Sequence, residues 1–178
     1  MGKEGELFHF EPNTQSVLRV GDINSDSFPD IIAVTKFNET YVTKVFLNSE
    51  IIYPTNYDGI RRRTFSSGQA YELTPKNSDY ASFMDLDENG QLDILIVTQD
   101  HELVGYFNNY NYDVFFLKSV TLRFKGKFTT NEIGTNYRFI STNLDGSRRM
   151  DVSFQSAQTN ELPLNLPYTY MGIGRSNN

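Results

Sequence analysis

The feature that most restricts the fold of this sequence is a short acidic loop that occurs three times, each time followed by strand-like residues. The copies begin at Asp22, Asp85 and Asn143, so the repeat is about 60 residues long. In the first two copies, "DINSDSFPDIIAV" and "DLDENGQLDILIV", the loop leads directly into a continuous apolar run. Such a run is typical of a strand that is covered on both faces. The sequence therefore predicts a repetitive architecture in which an acidic loop precedes a buried strand.

The remainder of each copy also has the composition of β-strands. Segments rich in Val, Ile, Tyr, Phe and Thr alternate with turn residues, and no segment has helical periodicity. About four strands per copy is typical of a β-propeller blade. We therefore predict an all-β fold with three blade-like repeats of four-stranded antiparallel sheets, at residues 1–62, 63–126 and 127–178, the third being partial. Three blades cannot close a propeller without exposed edges, so we expect a fragment of a larger one.

The loop has the spacing of a calcium-binding loop. Counted from its first residue, side-chain oxygens occur at positions 1, 3, 5 and 9, and position 7 can add a backbone carbonyl. Position 6 lies at a sharp turn, where glycine is favoured because φ can be positive, and Gly90 meets this need better than Ser27. The predicted Ca2+ ligands are Asp22, Asn24, Asp26, Phe28 (backbone) and Asp30 in loop 22–30, and Asp85, Asp87, Asn89, Gln91 (backbone) and Asp93 in loop 85–93.

These loops differ from an EF-hand. An EF-hand loop ends in a glutamate at position 12, at the start of a helix, whereas position 12 here is Ala33 or Ile96, within a strand-like run. The third loop, residues 143–151, keeps the spacing but has only two carboxylates, and Arg148 occupies the glycine position. We expect no tightly bound ion there, and a structural rather than a catalytic role for calcium in the first two loops.

Composition argues against several other functions. The formal net charge of −6 is unfavourable for a nucleic-acid surface, which needs a basic stripe. No apolar run approaches the length of a membrane span. The absence of cysteine excludes a disulfide, a zinc–thiolate site and thiol chemistry. His9 and His101 lack the neighbours of a catalytic or zinc site, so we predict no enzymatic activity.

The loops resemble those of the FG-GAP, or integrin α-like, repeat family, in which a D-x-[DN]-x-[DN]-G-x-x-D loop joins two strands of a propeller blade and often holds calcium. The Phe-Gly and Gly-Ala-Pro signature of that family is not present. A closer resemblance is to the C-terminal propeller region of the T-cell immunomodulatory protein (LINKIN) family. Four segments carry it in the same order: "RVGDINSDSFPDIIAV", "FMDLDENGQLDILIV", "YFNNYNYDVFFLKSV" and "LNLPYTYMGIGRSNN". The resemblance implies a fragment from the extracellular region of a single-pass, type I membrane protein.

The same resemblance implies a function. We expect a non-enzymatic module, stabilised by calcium, that contacts protein partners at the cell surface in adhesion or immune signalling. No motif identifies the partner. The alternative is a carbohydrate-binding, lectin-like propeller, because related repeats also occur in lectins. Asn38 begins the sequon Asn38-Glu39-Thr40, which would carry a glycan if the chain is secreted.

Overall fold

The protein is described by a computed structural model over residues 18–37, 39–51, 62–66, 70–109, 114–142, 146, 148–156 and 168–175. Within these ranges every regular element is a β-strand, which confirms the all-β prediction. No helix in the same ranges has the length and apolar character needed to span a bilayer. Two predictions fall outside the described residues: the glycosylation site Asn38, and positions 1, 3 and 5 of the third loop, namely Asn143, Asp145 and Ser147.

The first two acidic loops lead directly into strands, as the sequence predicts. Asp30 is the first residue of one such strand and Asp93 is the first residue of the other. The strands of the described residues, in chain order, are β1 (Arg19–Gly21), β2 (Asp30–Phe37), β3 (Thr40–Phe46), β4 (Asn48–Glu50), β5 (Arg63–Phe65), β6 (Tyr71–Lys76), β7 (Ser78–Met84), β8 (Asp93–Thr98), β9 (Leu103–Tyr106), β10 (Val114–Ser119), β11 (Leu122–Lys125), β12 (Phe128–Asn131), β13 (Asn136–Thr142), β14 (Arg148–Phe154) and β15 (Thr169–Arg175).

The chain divides into two compact units, each built from segments that are separated in sequence. Unit 1 consists of Met1–Val20, Pro29–Phe83 and Leu95–Gly105. Unit 2 consists of Gly21–Phe28, Met84–Ile94 and Tyr106–Asn178. All of loop 85–93 and most of loop 22–30 therefore belong to unit 2.

The principal sheet of unit 1 has the strand order β1-β2-β3-β6. Strand β2 pairs antiparallel with β3, and β3 pairs antiparallel with β6. The consecutive residues Ile32, Ala33 and Val34 of β2 are all buried. Because successive side chains of a strand point to opposite faces, both faces of β2 are covered. This is the arrangement that the continuous apolar run predicts.

Unit 2 contains three two-stranded antiparallel ribbons, β10–β15, β11–β12 and β13–β14. Gln155, which is 1% exposed, joins the last two ribbons. Its Oε1 accepts hydrogen bonds from the Thr121 backbone N–H at 2.9 Å and from the Tyr137 hydroxyl at 2.7 Å, and its Nε2 donates to the Thr121 carbonyl at 3.2 Å. A single buried amide thus fixes the segment before β11 against β13.

The described strands form one four-stranded sheet, one three-stranded sheet with the order β7-β8-β9, and four two-stranded sheets. None of these sheets is closed. The antiparallel β architecture is therefore confirmed, whereas the β-propeller, its four-stranded blades and the three repeat boundaries stay predictions.

Candidate metal-binding loops

The second acidic loop brings three carboxylates together. Ligand oxygens of Asp85, Asp87 and Asp93 all lie within 4.8 Å of one another. Asp85 directly follows β7 and Asp93 begins β8, so two neighbouring strands of one sheet hold these two ligands in place. Asp85 and Asp93 are buried, whereas Asp87 is exposed. The arrangement is a small acidic pocket with one side open to solvent.

The side chains of this loop also determine its backbone shape. Oδ2 of Asp85 accepts a hydrogen bond from the backbone N–H of Gly90 at 3.2 Å. Oδ1 of Asp87 accepts one from Asn89 N–H at 3.2 Å, and Oδ1 of Asn89 accepts one from Gln91 N–H at 2.8 Å. Asp and Asn side chains form such local turns readily. Positions 1, 3 and 5 therefore stabilise the coil of the loop even without an ion.

The first loop has the same hydrogen-bond pattern. Oδ2 of Asp22 accepts from Ser27 N–H at 2.8 Å, Oδ1 of Asn24 accepts from Asp26 N–H at 3.2 Å, and Oδ1 of Asp26 accepts from Phe28 N–H at 2.9 Å. Each acceptor and donor occupies the same loop position as in the second loop. The spacing of oxygen side chains thus produces one local structure twice.

The two loops also share their backbone strain. Positions 4 and 6 have positive φ in both: 55° at Ser25 and 72° at Ser27, against 56° at Glu88 and 87° at Gly90. A non-glycine residue rarely adopts this conformation, so three of the four positions are strained. The predicted sharp turn at position 6 is confirmed in both loops, and position 4 is a second turn that the sequence did not indicate.

The aspartate at position 9 is completely buried in both loops, since Asp30 and Asp93 are each 0% exposed. Oδ1 of Asp30 accepts from Asn48 N–H at 2.8 Å. Oδ1 of Asp93 accepts from Asn108 N–H at 2.7 Å, and its Oδ2 accepts from Leu86 N–H at 2.8 Å. Backbone donors therefore compensate for the burial of charge, as they must in a folded interior.

Asn48 and Asn108, which lie outside the acidic motif, also bind the two loops. Each follows an apolar or aromatic pair, "FLN" and "YFN", at the end of the strand region of its copy. The Asn48 amide donates to the carbonyl of Pro29 at 3.3 Å, and the Asn108 amide donates to the carbonyl of Leu92 at 3.1 Å. Both acceptors occupy position 8 of their loops. The asparagine that recurs after the strand region in both copies is therefore the sequence feature that could have indicated these contacts.

The loops differ at position 1. Oδ1 of Asp22 accepts a second hydrogen bond from Asp26 N–H at 2.9 Å. The corresponding oxygen of Asp85, Oδ1, is buried and has no hydrogen-bond partner. Among the acidic residues that the structure describes, those of the first loop do not form a three-carboxylate group. The second loop is consequently the one that combines three neighbouring carboxylates with a buried, unpartnered oxygen.

Strand β15 contacts both loops. The Tyr170 hydroxyl donates to Oδ2 of Asp85, and the Ser27 hydroxyl donates to the carbonyl of Gly172. Burial raises the pKa of Tyr170 well above its ordinary value, and the hydrogen bond to Asp85 and the negative charges of Asp85 and Glu88 raise it further. Tyr170 is therefore a neutral donor to the acidic pocket throughout the physiological range.

The segment predicted as a third loop has a different structure. Strand β14 begins at Arg148, which is position 6 of that loop, and Arg148 pairs with Thr142 of β13. Asp151 at position 9 lies within the ribbon, opposite Phe139. In the first two loops the strand begins only at position 9. An arginine at position 6 favours this extended conformation, because it resists the positive φ that glycine allows.

The C-terminal part of the chain matches a family model described as "ITFG1, C2 domain", over residues 127–178. These residues coincide with the third predicted repeat. No solved structure matches the chain.

Curated relatives match nearly the whole chain. A T-cell immunomodulatory protein homolog of Plasmodium falciparum is 30% identical, over 90% of this chain and 26% of the relative. The T-cell immunomodulatory protein of Homo sapiens is 27% identical, over 90% of this chain and 29% of the relative. Protein linkin of Caenorhabditis elegans is 29% identical, over 94% of this chain and 31% of the relative. The chain thus spans less than a third of these relatives' lengths, and the matches support its kinship with the T-cell immunomodulatory protein and linkin family.

Proposed function

We propose that this chain is a non-enzymatic interaction module from the extracellular region of an FG-GAP-like membrane protein, and that calcium bound in loop 85–93 stabilises it. The observation that carries the calcium part is the buried, unpartnered Oδ1 of Asp85 beside the carboxylates of Asp87 and Asp93. An orphaned buried oxygen is costly unless a cation or a donor reaches it.

Electrostatics favour the same conclusion. Two carboxylates whose ligand oxygens lie within 4.8 Å of each other repel by at least about 1 kcal/mol in water and about 3.5 kcal/mol at the dielectric of a protein surface. Three such groups in one pocket therefore oppose folding in the absence of a counter-charge. Calcium is a hard cation that prefers carboxylate, amide and carbonyl oxygens, and the loop offers all three types. Bound there, the ion would neutralise the repulsion and hold the turn between β7 and β8.

Three carboxylates of the second loop, those of Asp85, Asp87 and Asp93, would hold the ion. Asp85 contributes its free Oδ1, and Asp87 is exposed with its carboxylate at the open side. Asp93 accepts two backbone hydrogen bonds, yet a carboxylate has about four lone-pair sites and retains capacity for a ligand bond.

Thermal unfolding with and without calcium tests the ion. We expect calcium at a hundredfold excess over its dissociation constant to add about 2.7 kcal/mol to the free energy of unfolding. For a chain of this size the melting temperature would rise by about 5–10 °C. Magnesium, which demands octahedral geometry and dehydrates reluctantly, should have a much smaller effect. An unchanged melting temperature in EDTA and in saturating calcium would refute the calcium part.

The similarity to the T-cell immunomodulatory protein and linkin relatives supports the interaction part. Fluorescently labelled chain, loaded with calcium, should bind to intact cells in a saturable manner and be displaced by unlabelled chain. Glycosidase treatment of the cells should leave this binding unchanged if the partner is a protein. Loss of binding after that treatment would favour the carbohydrate-binding alternative, and unsaturable binding would contradict the proposal.

A further inference from the structure

Asn108 contacts both acidic loops. Its backbone N–H donates to Oδ1 of Asp93 at 2.7 Å, and its side-chain amide donates to the carbonyl of Leu92 at 3.1 Å. The same amide nitrogen donates to the carbonyl of Ile23 at 2.8 Å. Ile23 lies between Asp22 and Asn24 in the first loop. One half-buried side chain therefore connects two segments that are 85 residues apart in sequence.

Asn48 provides the internal comparison. Its backbone N–H donates to Asp30 and its amide donates to Pro29, which repeats the bonds of Asn108 to Asp93 and Leu92. These two bonds of Asn48 stay within its own copy of the loop, and its Oδ1 also accepts a hydrogen bond from Arg63 Nε at 3.4 Å. The bond from Asn108 to Ile23 is an addition to this shared pattern, and it reaches the other copy.

We infer that Asn108 is a positioning residue that couples the two acidic loops, so that an ion held by loop 85–93 also orders residues 22–28. This inference rests on the proposed calcium site. An ion that restrains the Asp93 carboxylate restrains the backbone of Asn108, and the Asn108 amide then restrains Ile23. Coupling between two sites is reciprocal, so ordering of the first loop raises the calcium affinity of the second.

Strand β15 supplies a second connection between the two acidic loops. Tyr170 donates to Asp85 of the second loop, and two residues later Gly172 accepts from Ser27 of the first. Because a strand is a stiff element, displacement of one loop is transmitted to the other along it. The Asn108 connection acts on the Asp93 carboxylate and the Ile23 carbonyl, and the β15 connection acts on the Asp85 carboxylate and the Ser27 hydroxyl.

Hydrogen–deuterium exchange with mass spectrometry tests the coupling, with Asn48→Ala as the matched control for Asn108→Ala. In the unmodified chain, calcium should slow exchange in both 86–91 and 22–28. Asn108→Ala keeps the backbone bond to Asp93, so 86–91 should still respond. In Asn108→Ala the calcium-dependent protection of residues 22–28 should fall about tenfold, because the hydrogen bond from the Asn108 amide to Ile23 is lost. Asn48→Ala removes the equivalent local bond to Pro29 together with the bond from Arg63, and should leave both responses intact.

Three results would overturn the inference. Calcium protection confined to 86–91 in the unmodified chain would show that the loops are independent while the ion site stands. Full protection of 22–28 in Asn108→Ala would show that Asn108 does not carry the coupling. Absence of any calcium response in either loop would remove the ion site and the inference together. If Asn108→Ala does not fold, Asn108→Ser is smaller than asparagine, keeps a polar group and gives the same comparison.

Discussion

Asp85→Asn is expected to change stability in opposite directions with and without calcium. In the present structure Oδ2 of Asp85 accepts hydrogen bonds from Gly90 and Tyr170, while Oδ1 has no partner. An asparagine can keep both accepted bonds through its carbonyl oxygen. Its amide nitrogen then replaces the orphaned oxygen and can donate to the neighbouring carboxylates. The substitution should therefore stabilise the ion-free protein.

The magnitude follows from the charges. Asparagine removes two repulsive pairs, with Asp87 and with Asp93, at separations within 4.8 Å. Each pair costs about 1 kcal/mol in water and about 3.5 kcal/mol at a surface-like dielectric. Asp87 is exposed, so solvent screens its share, and we expect a total gain of about 1–3 kcal/mol in EDTA. The melting temperature of the variant should rise by about 2–10 °C.

In calcium, the unmodified chain should be more stable than Asp85→Asn, which is the reverse of the order expected in EDTA. The unmodified chain gains stability from the ion, whereas Asp85→Asn loses one carboxylate ligand and should gain little. Differential scanning calorimetry of both proteins, in EDTA and in millimolar calcium, measures all four values. Asp100→Asn, an exposed aspartate in the turn between β8 and β9, is the control and should change stability by less than about 0.5 kcal/mol. Destabilisation of Asp85→Asn in EDTA would show that the carboxylate is a structural acceptor and would refute this reasoning.

Three further substitutions test the surroundings of the loops, each by chemical denaturation. Gly90→Ala should destabilise the chain by more than about 2 kcal/mol, because Gly90 has φ of 87° and the Cβ of an alanine there would meet the ring of Phe116. An effect below about 0.5 kcal/mol would contradict this packing. Gln155→Ala should cost about 3–4 kcal/mol through loss of the three hydrogen bonds that its buried amide makes, and a neutral result would show that the amide does not join the ribbons. Folding raises the pKa of Tyr170, so its contribution to the free energy of unfolding is present below about pH 10 and is lost as the pH rises further. In Tyr170→Phe the free energy of unfolding should fall less steeply with pH above about pH 10. An unchanged slope would exclude Tyr170 as the source of the pH dependence.

Much of the local structure could be predicted from the sequence. The continuous apolar run after each loop predicts a strand with both faces covered, and β2 shows consecutive buried side chains. The oxygen side chains at positions 1, 3 and 5 predict a coiled turn, and both loops form the same hydrogen bonds. These features depend on residues within nine positions of one another, where side-chain spacing and φ preferences dominate.

The third copy shows the limit of such reasoning. Its spacing is that of the other two loops, but the chain there forms the β13–β14 ribbon from Arg148 onward. The pairing of β14 with β13 overrides the turn tendency of the remaining polar residues. Sequence spacing alone could not weigh these two effects, because strand pairing gains its free energy from a partner strand.

The sequence by itself determined the all-β class, the two acidic turns and the strands that they precede, because each is a property of neighbouring residues. Only the tertiary structure decided that the two loops are chemically different. Their ligand sets are nearly the same, yet Asp22 is satisfied within its loop while Asp85 retains a buried, unpartnered oxygen and accepts a hydrogen bond from distant Tyr170. That difference, and the bond from Asn108 to Ile23, arise because sheet packing brings together groups whose separation along the chain carries no signal of contact.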